Sequence, residues 1–234
     1  MRYEAVFFDL DGTVIDTLQN ITDAVNHTMR RFGLRTFTAE ELRPHLGWGV
    51  DYLMRTLIPD LPEAKIAEIL AYYRPYYAAH TTENTPLYPG ILPMLRTLRQ
   101  QGLPLALISN KPDSAVQPLA ALYFRDLLSF TIGEQPGIAR KPAPDMLRLA
   151  AETLGVALSR CLYVGDTEVD IRTAENTGID CVCVTWGFRT REALARAGAT
   201  RIADSTEALL RLILCRAPAL SKNYHGKAIA KGIF

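Results

Sequence analysis

Asp9 and Asp11 stand two residues apart in Asp9-Leu10-Asp11-Gly12-Thr13, directly after the apolar run Ala5-Val6-Phe7-Phe8. A run that short, bounded by a turn signal, reads as a strand buried on both faces of a parallel sheet, and the C-terminal end of such a strand is where open α/β sheets bind ligands. Burial disfavours the charged form of a carboxyl group, so two acids there imply a metal ion, a cationic side chain or a shared proton. Further groups of the right kind follow other apolar runs. Ser109, with Asn110 and Lys111, follows Leu105-Ala106-Leu107-Ile108. Lys141 lies in Arg140-Lys141-Pro142-Ala143-Pro144-Asp145 ahead of a helix, and Gly165-Asp166-Thr167-Glu168-Val169-Asp170 follows Leu162-Tyr163-Val164. In a parallel sheet these ends share one edge, which gathers carboxylates, a hydroxyl and an ammonium around one small volume.

That inventory suits phosphoryl transfer to an aspartate. A carboxylate is a weak nucleophile and is repelled by an anionic phosphate, and a bridging magnesium ion removes the repulsion. Asp9 and Asp166 can supply the metal's carboxylates. Asp11 can protonate the leaving oxygen and then take a proton from the water that hydrolyses the aspartyl-phosphate. In extended chain, a separation of two residues returns its side chain to the face of Asp9. Ser109 can hydrogen-bond a phosphoryl oxygen, while Lys141 can neutralise charge on the phosphate and on Asp9. Asp170, four residues after Asp166 on the first turn of a helix, is expected to order the groups around the metal.

The elements that must carry these residues are legible in the same pattern. Strand signals at Ala5–Phe8, Pro104–Ile108, Cys161–Val164 and Asp180–Val184, with weaker ones at Phe130–Ile132 and Arg201–Ala203, alternate with helical stretches. That alternation predicts an α/β fold with a Rossmann-like parallel sheet. Residues 17–86 carry no convincing strand and read as an inserted helical cap. Helices are expected at Leu18–Phe32, capped by Asp16 or Thr17, and at Ala39–His45, Val50–Leu57 and Pro62–Ala79. The expected organisation is a discontinuous core of residues 1–16 and 87–214, a cap of 17–86 and a basic C-terminal tail of 215–234.

The 234 residues are 48% hydrophobic and 22% charged with a net charge of +1, a composition ordinary for a soluble globular protein. That charge balance argues against a nucleic-acid partner and favours a small molecule. No apolar stretch is long enough to span a bilayer, and Met1-Arg2-Tyr3-Glu4 has no signal-peptide pattern, so no membrane partner and a cytoplasmic location are expected. The four cysteines, Cys161, Cys181, Cys183 and Cys215, fit neither a disulfide framework nor a paired zinc site. The four histidines, His27, His45, His80 and His225, lack metal-ligand spacing and are given no role. The sequence leaves the oligomeric state open.

Taken together, Asp9-Leu10-Asp11-Gly12-Thr13, Ser109, Lys141 and Gly165-Asp166-Thr167-Glu168-Val169-Asp170 resemble the four motifs of the haloacid dehalogenase superfamily, over residues 3–214. Ile108-Ser109-Asn110-Lys111-Pro112, Arg140-Lys141-Pro142 and Val184-Thr185-Trp186-Gly187-Phe188 are most similar to its bacterial phosphoglycolate phosphatases. The resemblance implies a magnesium-dependent phosphatase acting on a small phosphomonoester, with Asp9 as nucleophile and Asp11 as acid/base. It also implies a metal held by Asp9, Asp166 and the backbone carbonyl of Asp11, with Gly12, Thr13 and Asn110 at the substrate. Pyrophosphatases and sugar phosphomutases of the same superfamily are alternatives, although Ile21 stands where related phosphomutases carry a histidine. A phospho-acceptor signalling module is the non-enzymatic rival; the helical insertion and the acid/base spacing of Asp11 disfavour it. In the cap, the loop Leu46-Gly47-Trp48-Gly49-Val50 could cover the substrate, and Arg43 and Arg55 could pair with a substrate carboxylate.

Overall fold

A computed structural model of the chain describes residues 3–214; the tail from residue 215, with Cys215 and His225, lies outside them. Strands β1 (Ala5–Phe8), β2 (Leu105–Pro112), β3 (Phe130–Glu134), β4 (Cys161–Gly165), β5 (Asp180–Val184) and β6 (Ile202–Ala203) form one sheet in the order β3-β2-β1-β4-β5-β6. Every pairing is parallel. The order reverses between β1 and its neighbours β2 and β4, so the crevice of this sheet opens at the C-terminal end of β1.

All four residues of β1 are buried, as its unbroken apolar run requires, yet the strand's period of two still divides them. Val6 and Phe8 join Leu105, Leu107, Leu162 and Val164 beneath helices α5 (Ile91–Gln100), α6 (Asp113–Tyr123) and α10 (Thr206–Leu214). Ala5 and Phe7 join Ala106, Ile108 and Tyr163 on the opposite face, against α7 (Asp145–Leu154) and α8 (Glu168–Thr177). The short α9 (Arg191–Arg196) contributes Leu194 to a small cluster with Ile171 and Cys183. Cys161, Cys181 and Cys183 are free thiols.

The insertion after β1 is helical, as expected: α1 (Leu18–Arg31), α2 (Ala39–Leu42), α3 (Val50–Leu57) and α4 (Glu63–His80). Val25, Met29, Leu53, Met54, Ile69 and Tyr73 build a separate core there, and Ala115 and Phe188 from the sheet side pack into it. The two linkers run side by side. Ile15 bridges Leu87, and the Asp16 N–H donates to the Pro86 carbonyl at 2.9 Å.

Two local expectations need correction, and a third is resolved between its alternatives. The expected helix Ala39–His45 divides into α2 and a 3-10 turn at Arg43–His45, because Pro44 has no N–H to continue the α pattern. At the start of α1 the Leu18 N–H is taken by the Asp16 carboxylate at 3.3 Å, whereas the Thr17 hydroxyl caps nothing. Strand β2 runs past Ile108 to Pro112 through a register irregularity, so Ser109, Asn110 and Lys111 lie within the strand and not after it. No helix among the described residues is long and apolar enough to cross a membrane.

Candidate active site

Asp9 follows β1 directly and is buried, with its Oδ1 accepting from its neighbour's amide, Leu10 N, at 2.7 Å. The Lys141 ammonium reaches the same oxygen at 2.9 Å and Asp170 Oδ1 at 2.8 Å, and donates to the Tyr163 hydroxyl at 2.8 Å. All three ammonium protons are thereby placed. Burial alone would lower the pKa of Lys141, but Asp170 and Asp9 outweigh it and hold the side chain charged.

Asp170 sits in the first turn of α8, where its Oδ2 accepts from Thr167 N at 3.0 Å and the Thr167 hydroxyl at 2.8 Å. That carboxylate therefore satisfies the helix N-terminus with one oxygen and anchors Lys141 with the other. Despite burial, which opposes it, Lys141 and these donors hold its pKa below the ordinary value.

Asp166, after β4, is also buried; Thr13 Oγ1 donates to its Oδ1 at 3.1 Å and Phe188 N to its Oδ2 at 2.6 Å. Gly12 and Gly187 make room for it. A Cβ built on either would fall 2.3 Å from Asp166 Oδ2, and Gly12 in addition has φ +78°. Gly12 and Thr13 are therefore set against Asp166 and not along the cavity wall. The Gly12 amide is likewise engaged, donating to the Ile15 carbonyl at 2.9 Å.

Ligand oxygens of Asp9, Asp166 and Asp170 lie within 4.8 Å of one another. Burial first, and then the neighbouring carboxylates, push Asp9 up to about 7 and Asp166 well above the carboxylate range. Three buried acids against one ammonium leave negative charge in need of a partner, and an all-oxygen donor set fits a hard divalent cation. Asp170 is already paired with the Lys141 ammonium through one oxygen and bound to the N-terminus of α8 through the other, whereas Asp166 meets only the neutral donors of Thr13 and Phe188, so Asp9 and Asp166 are the carboxylates best placed to hold one.

Asp11 points elsewhere. Its carboxylate is 3.0 Å from the Lys111 ammonium, which also donates to the Tyr77 hydroxyl of α4. Asp11 thus meets a different ammonium from Asp9, since β1 ends at Phe8 and Gly12 turns the chain immediately afterwards. Asp9, Asp11, Ser109, Asn110 and Lys111 nevertheless line one cavity of about 60 Å³, with Asp166, Lys141 and Asp170 packed behind Asp9.

The cap closes the other side of that cavity. Asn110 carries much of the closure, its Nδ2 donating to the Gly47 carbonyl at 3.0 Å and to the Lys141 carbonyl at 2.9 Å, while its Oδ1 accepts from Lys141 N at 2.8 Å. Gly47 and Gly49 have φ of +106° and +85° and pack so near Thr167 and Arg140 that side chains would crowd them. The Trp48 indole donates to Glu168 at 2.9 Å. Arg189 is bonded to Glu168 and reaches the carbonyls of Arg43, Pro44 and Leu46 at 2.9–3.0 Å, around the end of the 3-10 turn. Arg43 pairs with Glu40 and Arg55 with Glu63, and neither lines the cavity.

The family model for haloacid dehalogenase-like hydrolases matches residues 6–184. The chain belongs to the haloacid dehalogenase-like hydrolases. It is similar to the phosphoglycolate phosphatase of Pseudomonas putida, at 32% identity over 212 residues, 88% of this chain and 78% of that protein. It is 34% identical to that of Rhodobacter capsulatus over 191 residues, 79% and 85% of the two chains. A crystal structure of a candidate phosphoglycolate phosphatase from Lactobacillus delbrueckii subsp. bulgaricus superposes with a TM-score of 0.87 at 39% identity, covering 92% of this chain and 100% of that one. CbbY from Rhodobacter sphaeroides, solved with xylulose-(1,5)bisphosphate, gives 0.74 at 26% identity, covering 87% and 95%. Family membership makes the chain an enzyme and sets aside the signalling-module reading.

Sequence reasoning left Lys111, Tyr77 and Arg189 of this haloacid dehalogenase-like hydrolase without roles. For Lys111 a signal existed: it closes the polar run Ser109-Asn110-Lys111 at the end of β2, and all three residues line the cavity. Tyr77 offers only a helical period, and nothing local to Arg189 announces the three carbonyls it meets from another part of the chain.

Proposed function

We propose that this protein is a magnesium-dependent phosphatase that hydrolyses a small phosphomonoester, phosphoglycolate first, through an aspartyl-phosphate on Asp9. The observation that carries the reading is the buried Asp9, held by Lys141 and facing, beside Ser109, a cavity small enough to exclude macromolecules. A single water needs about 10–15 Å³, so a few heavy atoms fill a cavity of about 60 Å³. The phosphoglycolate phosphatases among its relatives support the substrate.

In this mechanism Asp9 attacks phosphorus while the P–O bond to the alcohol breaks. Lys141 fixes the orientation of the attacking carboxylate and offsets its charge. The Ser109 hydroxyl donates to a phosphoryl oxygen, and Asp11 gives a proton to the departing alkoxide. Asp11 then takes a proton from water, whose oxygen attacks phosphorus and releases Asp9 and inorganic phosphate. Asp9, Asp166 and the Asp11 carbonyl would hold magnesium, which supplies electrostatic relief between carboxylate and phosphate. Thr13, Gly12 and Gly187 act on Asp166, Asp170 acts on Lys141, and Asn110 joins Lys141 to the cap.

Asp9→Asn should reduce phosphoglycolate hydrolysis in magnesium by at least about 10³-fold with an unchanged circular dichroism spectrum, since it removes the nucleophile and keeps the shape. Substantial turnover by that variant would defeat the mechanism. A metabolite-phosphate panel run on the unaltered enzyme tests the substrate.

A further inference from the structure

Lys111 differs from the other buried lysine of the site in having capacity to spare. Its side chain is 1% exposed, and its ammonium meets Asp11 and the Tyr77 hydroxyl, leaving one of three protons for the cavity it lines. Lys141, by contrast, spends all three behind Asp9. The cap side of the cavity is mostly apolar, with Ile21, Leu46, Val50, Leu53 and Phe188, and among the described residues the only other basic one lining the cavity is His45. An ammonium kept in such surroundings is costly unless it binds anions, and one carboxylate, itself partly exposed, is a thin complement for it. Asp9 and Lys111 line the same cavity, Asp9 at the end of β1 and Lys111 at the end of its neighbour β2. A phosphoryl group on Asp9 therefore leaves the remainder of a substrate between Lys111 and the cap.

Resting on the phosphatase reading, we infer that Lys111, together with the Tyr77 hydroxyl, is the specificity-determining receptor for a second anionic group, of carboxylate size, on the leaving alcohol of the substrate. The small cavity favours a carboxylate over a second phosphate. Tyr77 belongs to α4 and Lys111 to β2, so a bound carboxylate would tie the cap to the sheet while the ester oxygen lies toward Asp11.

The test compares kcat/KM for 2-phosphoglycolate and for 2-hydroxyethyl phosphate, an ester of equal chain length without the carboxylate, in magnesium. The unaltered enzyme should prefer the carboxylate. Lys111→Met should reduce the ratio about 10- to 100-fold, the worth of one charge-assisted hydrogen bond, chiefly through KM for phosphoglycolate. Lys111→Arg should restore part of the ratio, Tyr77→Phe should lower it a few-fold, and His45→Gln should leave it alone. Inhibition by glycolate should weaken in parallel. Should Lys111→Met fail to fold, the Tyr77→Phe and Lys111→Arg ratios carry the same decision. Equal losses on both esters would overturn the inference, because Lys111 would then serve Asp11 alone, and so would a ratio that collapses in His45→Gln. An unaltered enzyme that hydrolyses both esters without preference overturns it while leaving the phosphatase reading intact. No release of phosphate from any ester overturns both.

Discussion

At the residue scale, two aspartates separated by one leucine have been given opposite surroundings. Asp9 is buried against Lys141 and two other acids, and Asp11 lies partly exposed beside Lys111. A nucleophile benefits from a fixed orientation, and an acid/base needs access to the leaving oxygen and then to water. This division predicts different responses to the same change. Asp11→Asn should slow alkyl phosphates by about 10²–10⁴-fold, the usual worth of general acid–base catalysis, but slow p-nitrophenyl phosphate much less, because that leaving group needs little protonation. Steady-state rates over a series of leaving groups would show it, and equal losses along the series would remove Asp11 from the proton transfer.

At the scale of elements, the site depends on contacts between segments far apart in sequence. Arg189, in the loop after β5, binds three carbonyls at the end of the cap's 3-10 turn, and Glu168 at the start of α8 holds both Arg189 and Trp48. A guanidinium is suited to this because its donors are fixed in one plane and can meet several acceptors together. Arg189→Met should loosen the loop Arg43–Gly49 over the cavity, raising KM for a small ester by on the order of tenfold with a smaller change in kcat. Limited proteolysis should also cut that loop sooner. An unchanged KM would mean that closure does not depend on this contact. The glycines at 47 and 49, in the loop expected to cover the substrate, have a steric reason in the structure: they bring the loop against Thr167 and Arg140.

At the scale of the whole molecule, stability and metal binding are linked through the same buried acids. Burial and mutual repulsion raise Asp9 to about 7 and Asp166 well above the ordinary carboxylate value, so in the metal-free protein both hold protons that the unfolded chain has released above about pH 4. For acids raised in this way, the stabilising contribution is full below the unfolded pKa and is lost as pH rises through the folded value. A cation reverses the sign, since it favours the deprotonated pair. Chelated protein should therefore melt at progressively lower temperature between pH 5.5 and pH 8. The gap between magnesium-loaded and chelated protein should widen over that range to about 4 °C or more, which corresponds to one or two kcal/mol in a chain of this size. Differential scanning fluorimetry across pH measures it, and a gap independent of pH would argue that the carboxylates do not hold the ion.

The strands, the helical insertion and the residues of the four motifs were legible in the sequence because each is encoded locally. Ala5–Phe8 is apolar throughout, Leu18–Arg31 repeats at a helical period, and Asp9, Ser109, Lys141 and Asp166 each stand at a break in such a pattern. A parallel sheet then brings those breaks to one edge, so chemistry could be inferred before any contact was known. What the sequence could not decide was partnership. That Asp11 faces Lys111 follows from where β1 ends and how Gly12 turns. That Gly12 and Thr13 attend Asp166, that Asn110 clips Lys141 to the cap, and that Tyr77 and Arg189 belong to the site depend on segments separated by tens of residues. Side-chain hydrogen bonds are directional and reach only about 3 Å, so they are selected by the final packing of sheet and cap, while hydrophobic period and turn chemistry act within a few residues and remain written along the chain.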